Sequence, residues 1–181
     1  MSSFPILSVQ QPWAGLIVLD FKDIENRTWK AGAKYHGKEI LIHAGKRVDR
    51  SEVGKGCSVI ANALRLVMQV FGHSVHPLWG QTPQEEFFRR VQGNEHVFEC
   101  GGVLGSAVLG GCTFAHPSGW AVQHPKMVHW EFKQAKVLPF QAMPGRLGIF
   151  QGEYPIDVPD VSLSPTGETA VQCSLDKFMS V

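Results

Sequence analysis

With 181 residues, 44% of them hydrophobic and 18% charged, the chain has the composition of one globular, soluble domain. A formal net charge of +1 excludes a protein that grips long nucleic acid by electrostatics alone. No stretch approaches the ~20 consecutive apolar residues that span a bilayer, so no membrane partner is expected.

The opening residues, MSSFPILSVQQPW, have no basic segment before their apolar stretch, which predicts no signal peptide. Cys57, Cys100, Cys112 and Cys173 are scattered without a CxxC pair and read as buried free thiols of a cytoplasmic protein. The histidines show no HxH, HxxxH or HExxH spacing, so neither a metal site nor a cofactor is predicted. Charge is uneven along the chain. Residues 22–55 hold nine Lys/Arg against five Asp/Glu, whereas residues 151–181 hold five Asp/Glu and one Lys.

Residues 5–9 read as a short strand, followed by Pro12 in the first turn of a buried apolar helix over 13–19. From Asp23 to Trp29 the pattern alternates, with Glu25, Arg27 and Trp29 on one face and Ile24, Asn26 and Thr28 on the other. Lys38–Ala44 is the strongest strand. Asp49-Arg-Ser-Glu52 has the form of a capping box, opening a helix whose apolar face runs through Val53, Cys57, Ile60, Leu64, Val67 or Met68, and Phe71 to a stop at Gly72. A second box, Thr82-Pro-Gln-Glu85, opens a shorter helix through Val91. Strands return at 102–110, 128–132, 136–140 and 147–151. The small residues of Gly102–Gly110 predict close approach of neighbouring backbone, as at a barrel corner. The expected fold is α+β: a small, partly closed β-barrel with helices packed over one opening. One domain is expected over residues 1–152, with an acidic tail over 153–181 packed on it or on a neighbouring molecule.

Several segments resemble the ASCH domain, a family of the PUA-like class. Ser8-Val-Gln-Gln-Pro-Trp-Ala14 is similar to its entry into the first helix, and Asp20 to Arg27 (DFKDIENR) to its GxKxxExR signature. Leu41-Ile-His-Ala44, Gly101–Gly105, Val128–Phe132 and Pro144–Phe150 follow in the family's order, so the resemblance covers about residues 5–152. Two departures stand out. Asp20 replaces the signature glycine, and Gln10 replaces a basic residue before Gln11. The resemblance implies a PUA-like barrel and a cleft for RNA or a modified nucleoside. One branch of the family hydrolyses acetylated cytidine with a lysine and a threonine three residues later. Lys22 matches that lysine, but Glu25 stands where the threonine would be.

Lys22 at a helix-to-strand junction, with Glu25 and Arg27 two apart on a strand, form the candidate site. Arg27 offers a planar fork to a phosphate or base edge, and Glu25 accepts from an exocyclic amine or orients Lys22. A desolvated Lys22 beside Arg27 could serve as a base. The competing reading is a structural ion pair. Trp29, on the face of Glu25 and Arg27, is the first stacking candidate, and Trp120, whose Gly/Pro-rich loop predicts exposure, is the second. Trp13 reads as core. Gln11, His43 and Lys46 complete the candidate ligand contacts, with Arg47 a further phosphate contact. Against these stand a structural role for His43 and an ordinary charged surface at 46–47. Three functions follow: a module binding single-stranded RNA or a nucleoside; a hydrolase of acylated nucleosides or a ribonuclease, with Lys22 and Glu25 catalytic; or a protein-interaction domain with a vestigial cleft.

Overall fold

The computed structural model describes residues 2–49 and 57–155. The expected capping box at Asp49–Glu52 and the acidic tail lie largely outside these residues, as does Cys173. The elements in chain order are β1 (Ser2–Gln11), α1 (Trp13–Val18), β2 (Ile24–Arg27), β3 (Glu39–Val48), α2 (Val59–Phe71), α3 (Pro83–Val91), β4 (Gly102–Thr113), β5 (Val128–Ala142) and β6 (Ile149–Tyr154), with 3-10 turns at Ala33–Tyr35 and Glu95–Phe98. The fold is α+β.

All strands belong to one mixed sheet, ordered β2-β5-β4-β3-β1-β6. β1 and β3 run parallel, and the other neighbouring pairs are antiparallel. The ladder does not close: β2 and β6 are its edges. Alternation decides the two faces. Ile40, Ile42 and Ala44 of β3 enter the main core with Leu7 and Val9, while Leu41 turns to a smaller cluster with Ile6, Val103 and Tyr154. Helix α1 lies on the main-core side against β4. At Gly105 a Cβ would meet the Lys136 carbonyl and come within 2.7 Å of Val18, so that strand position tolerates no side chain.

Local signals place the helices. Thr82 and Glu85 make the reciprocal capping box at the start of α3, and Gly72 ends α2 with φ 79°. Among the described residues α2 opens at Ser58, whose hydroxyl accepts from the Ala61 amide. Its most buried side chains are Asn62, Ala63, Leu66 and Val67, with Ile60, Leu64 and Phe71 on the flanks of that face. The strands expected at 128–132 and 136–140 are one strand, β5. Gln134 has φ 50°, and register shifts against β4 let the strand bend without ending. The boundary expected at residue 152 falls inside β6, whose last residue, Tyr154, is buried. Cys57 and Cys100 are exposed and free, not buried as expected, because they sit outside the regular elements. No described helix is long and apolar enough to cross a membrane.

Candidate functional site

The turn between α1 and β2 positions the first site residue. Asp20 has φ 58°, a left-handed conformation that suits glycine and that Asp and Asn tolerate best among other residues. This is the position where the GxKxxExR pattern has its glycine. The turn is fastened by the amides of Phe21 and Lys22, both bonded to the Leu16 carbonyl at 3.0 Å.

From that turn Lys22 folds back onto β2. Its ammonium donates to Glu25 Oε2 at 2.8 Å and to the Ile24 carbonyl, and both Lys22 and Glu25 are buried. Arg27 Nε lies 3.1 Å from the other carboxylate oxygen, an ion-pair contact without the alignment of a hydrogen bond. The cations therefore meet through Glu25, as the ion-pair reading of the sequence has it, and not side by side, as the reading of Lys22 as a base beside Arg27 has it. Among the described residues, two of the three Lys22 N–H donors have acceptors.

Arg27 also spans the sheet. Its Nη2 donates to the Ser8 carbonyl of β1 at 2.8 Å. In a flat sheet of this order β2 and β1 would stand ~19 Å apart, at ~4.8 Å per strand spacing. The sheet must therefore curl until these strands face each other. The acceptor is available because β6 pairs with β1 only as far as Leu7.

In the gap lies a cavity of about 880 Å³, lined by Lys22, Glu25, Arg27, Asn26, Gln10 and Asp49, with Trp13 and Trp120 as aromatic walls and Leu66, Gln69 and Val70 of α2 on the opposite side. Trp13 donates to Asp49 Oδ2 at 2.9 Å and has the Lys22 ammonium 5.6 Å from its ring centre. Trp120 meets Trp13 edge-on at 6.3 Å. The loop carrying Trp120 is pinned from β2 and its approach. Asn26 donates to the Trp120 carbonyl at 2.9 Å and accepts from the Val122 amide at 3.0 Å, and the Trp120 indole donates to the Phe21 carbonyl at 2.7 Å. Two cations and two carboxylates line the cavity among the described residues, so its formal charge balances.

The structure thus brings Lys22, Glu25, Arg27 and Trp120 together and places the other candidates elsewhere. Trp29 lies beyond the end of β2, exposed, with its ring edge-on to Trp130 at 4.5 Å and outside the cavity lining. Trp120 is buried and not exposed as expected, because its indole N–H is bonded inward. Gln11 is fully buried: its amide donates to the Val97 and Glu99 carbonyls at 2.8 Å each and accepts from the Gly15 amide. His43 is buried on the face of Leu41, with Nε2 donating to the Met143 carbonyl at 3.0 Å. A carbonyl only accepts, so Nε2 carries the proton there, and Nδ1 pairs with the Ser8 hydroxyl at 3.2 Å. Lys46 and Arg47 are exposed in the last part of β3. Trp13, expected in the core, is only partly buried and lines the cavity, and Asp49 and the α2 lining were not singled out as site residues from sequence. The Trp13 signal was its place between Pro12 and an otherwise fully buried helix, where a large ring with a polar N–H suits a cavity wall.

A scan against protein-family models finds no match, and neither does a search of the curated proteins.

Proposed function

We propose that the cleft binds one nucleoside unit, free or presented by single-stranded RNA, with the base against Trp13 and Trp120. The convergence of Lys22, Glu25 and Arg27 on one aromatic-walled cavity carries this reading. A base needs a flat apolar contact and a few polar groups for its edge. Glu25 supplies acceptors for an exocyclic amine, and Lys22 and Arg27 supply donors. The balanced lining favours the uncharged part of a nucleotide over its phosphate. The resemblance to the ASCH domain points the same way, and the curl tied by Arg27 supports a partly closed, PUA-like barrel covered by helices. A cytoplasmic setting suits the exposed free thiols of Cys57 and Cys100.

Tryptophan quenching with a panel of nucleosides, N4-acylated cytidine included, and with short RNA and DNA oligomers at two salt concentrations tests the reading. Saturable binding that weakens at least ~tenfold in Arg27→Met supports it. Salt dependence of the oligomer arm separates backbone contact from base contact. Absence of saturable quenching across the panel, or unchanged affinity in Arg27→Met, overturns it.

The 2.8 Å Lys22–Glu25 contact inside the cavity favours a second, catalytic reading. With the ammonium held on the carboxylate, Glu25 is the base available to an attacking water, and Lys22 meets the developing oxyanion. The sequence reading instead had Lys22 as the base, with Glu25 orienting it or handling protons. Chromatographic detection of deacylated product, lost in Glu25→Gln, decides between binding and turnover.

A further inference from the structure

Beside the cleft opens a second cavity of about 410 Å³, and Val70, Gly119 and Trp120 line both. Its inner wall is aromatic. Phe21 stands 6.4 Å from Phe71 and 5.5 Å from Trp79, both edge-on, and Phe71 lies 4.9 Å from Trp79. His76 stacks on Trp79 at 4.0 Å. The exposed carboxylates of Asp20 and Asp23 belong to the same lining.

The basic side chain of this lining is Arg90, and it is committed elsewhere. Its Nε lies 2.5 Å from buried Glu86, and Nη1 donates to the carbonyls of Leu19 and Asp20 at 2.7 and 2.8 Å. It stands 3.8 Å from the Asp20 carboxylate. Arg89 and Arg90 share Glu86, so against these two cations the carboxylates of Glu86, Asp20 and Asp23 leave the mouth one negative charge in surplus. The guanidinium also lies 4.6 Å from the Phe21 ring centre and 5.5 Å from that of Trp79, so these rings already accept a cation. Although its side chain is open to solvent, the protein packed around Asp20 removes part of its hydration and pushes the carboxyl above its ordinary range; Arg90 opposes the shift and Asp23 adds to it. A cation arriving between the two carboxylates would relieve their repulsion.

We propose that this cavity binds an organic cation, an ammonium or amidinium group on an apolar body. Asp20 and Asp23 meet the charge, and Phe71 and Trp79 meet the apolar part. The site stands apart from the nucleoside reading, since its groups are not the Lys22–Glu25–Arg27 set and its occupant needs nothing in the neighbouring cleft.

The test titrates the full chain with phenethylammonium and with the neutral isostere 2-phenylethanol, followed by saturation-transfer NMR and tryptophan fluorescence. The ammonium should bind saturably and about fivefold or more tighter than the alcohol. The Asp20→Asn/Asp23→Asn double variant should remove that preference. Asparagine tolerates the left-handed backbone at position 20 and still accepts from the Ser118 hydroxyl at position 23, so an unchanged urea midpoint verifies folding. No saturable ammonium binding, equal binding of the two probes, or an undiminished preference in the double variant overturns the proposal. The Arg27→Met titration reads the first cleft alone, so the two readings fail separately.

Discussion

Glu25 and Glu86 are built from the same parts and set in different surroundings. Each is a buried carboxylate between two cations: Lys22 and Arg27 in one case, Arg89 and Arg90 in the other. Around Glu86 the pairs are short and directed, with Arg89 Nε and Nη2 at 2.7 Å and Arg90 Nε at 2.5 Å, and Gln81 adds a further donor. That cluster fastens α3 to the carbonyls of Leu19 and Asp20 and so holds the turn ahead of Lys22. Around Glu25 the geometry is looser, the partners reach out to the Ile24 and Ser8 carbonyls, and the group faces a cavity. A charge cluster that serves the fold has its bonds completed inside the protein. One that lines a cavity can keep some capacity open.

The sharpest way to break the comparison is to remove each carboxylate. Glu25→Ala strands a lysine that is almost wholly buried, and the expected loss is about 3–5 kcal/mol in urea unfolding. The Lys22→Met/Glu25→Gln double variant removes both charges. It should recover most of that loss while still failing to bind nucleosides, which would show that the pair is kept for the ligand. A double variant that stays as unstable as Glu25→Ala would make the pair structural.

Acid titration probes the other cluster. Burial would raise the Glu86 carboxyl, but the hydrogen bonds and charges of Arg89 and Arg90 outweigh it and hold the group down to about 2, against an ordinary 4.5. A depressed carboxylate contributes fully above its unfolded value. That contribution drains away as pH falls from 4.5 toward 2 and, with the half-exposed Arg89 screened by solvent, is on the order of 1–2 kcal/mol. Glu86→Gln should flatten this limb of the stability–pH curve, and an unchanged limb would refute the assignment. An effect of similar size is expected from Asn26→Ala, which unpins the Trp120 loop. About 1–2 kcal/mol and a red-shifted tryptophan emission are expected.

The parts of this molecule that were legible in the sequence are the ones governed by near neighbours. The Thr82–Glu85 box, the Gly72 stop and the 38–44 strand follow from rules that span a few residues. So does the shared face of Glu25 and Arg27. Trp29 was expected on that same face, yet β2 ends at Arg27, and beyond a strand's end alternation no longer aims a side chain. Trp13, Asp49 and α2 enter the cleft only because the sheet curls, and curl depends on contacts between residues far apart in sequence. The continuity of β5 through Gln134 was hidden for a related reason: a bend and a break look alike until the neighbouring strand is present.

The bond from Arg27 to Ser8 has a further consequence. Past Leu7, β1 has no ladder partner on its β6 side among the described residues. An open strand flank of that kind is where a strand from another molecule adds and aggregation begins. Arg27 occupies the Ser8 acceptor of that flank, so the side chain that lines the cavity also withholds one backbone group that an added strand would need.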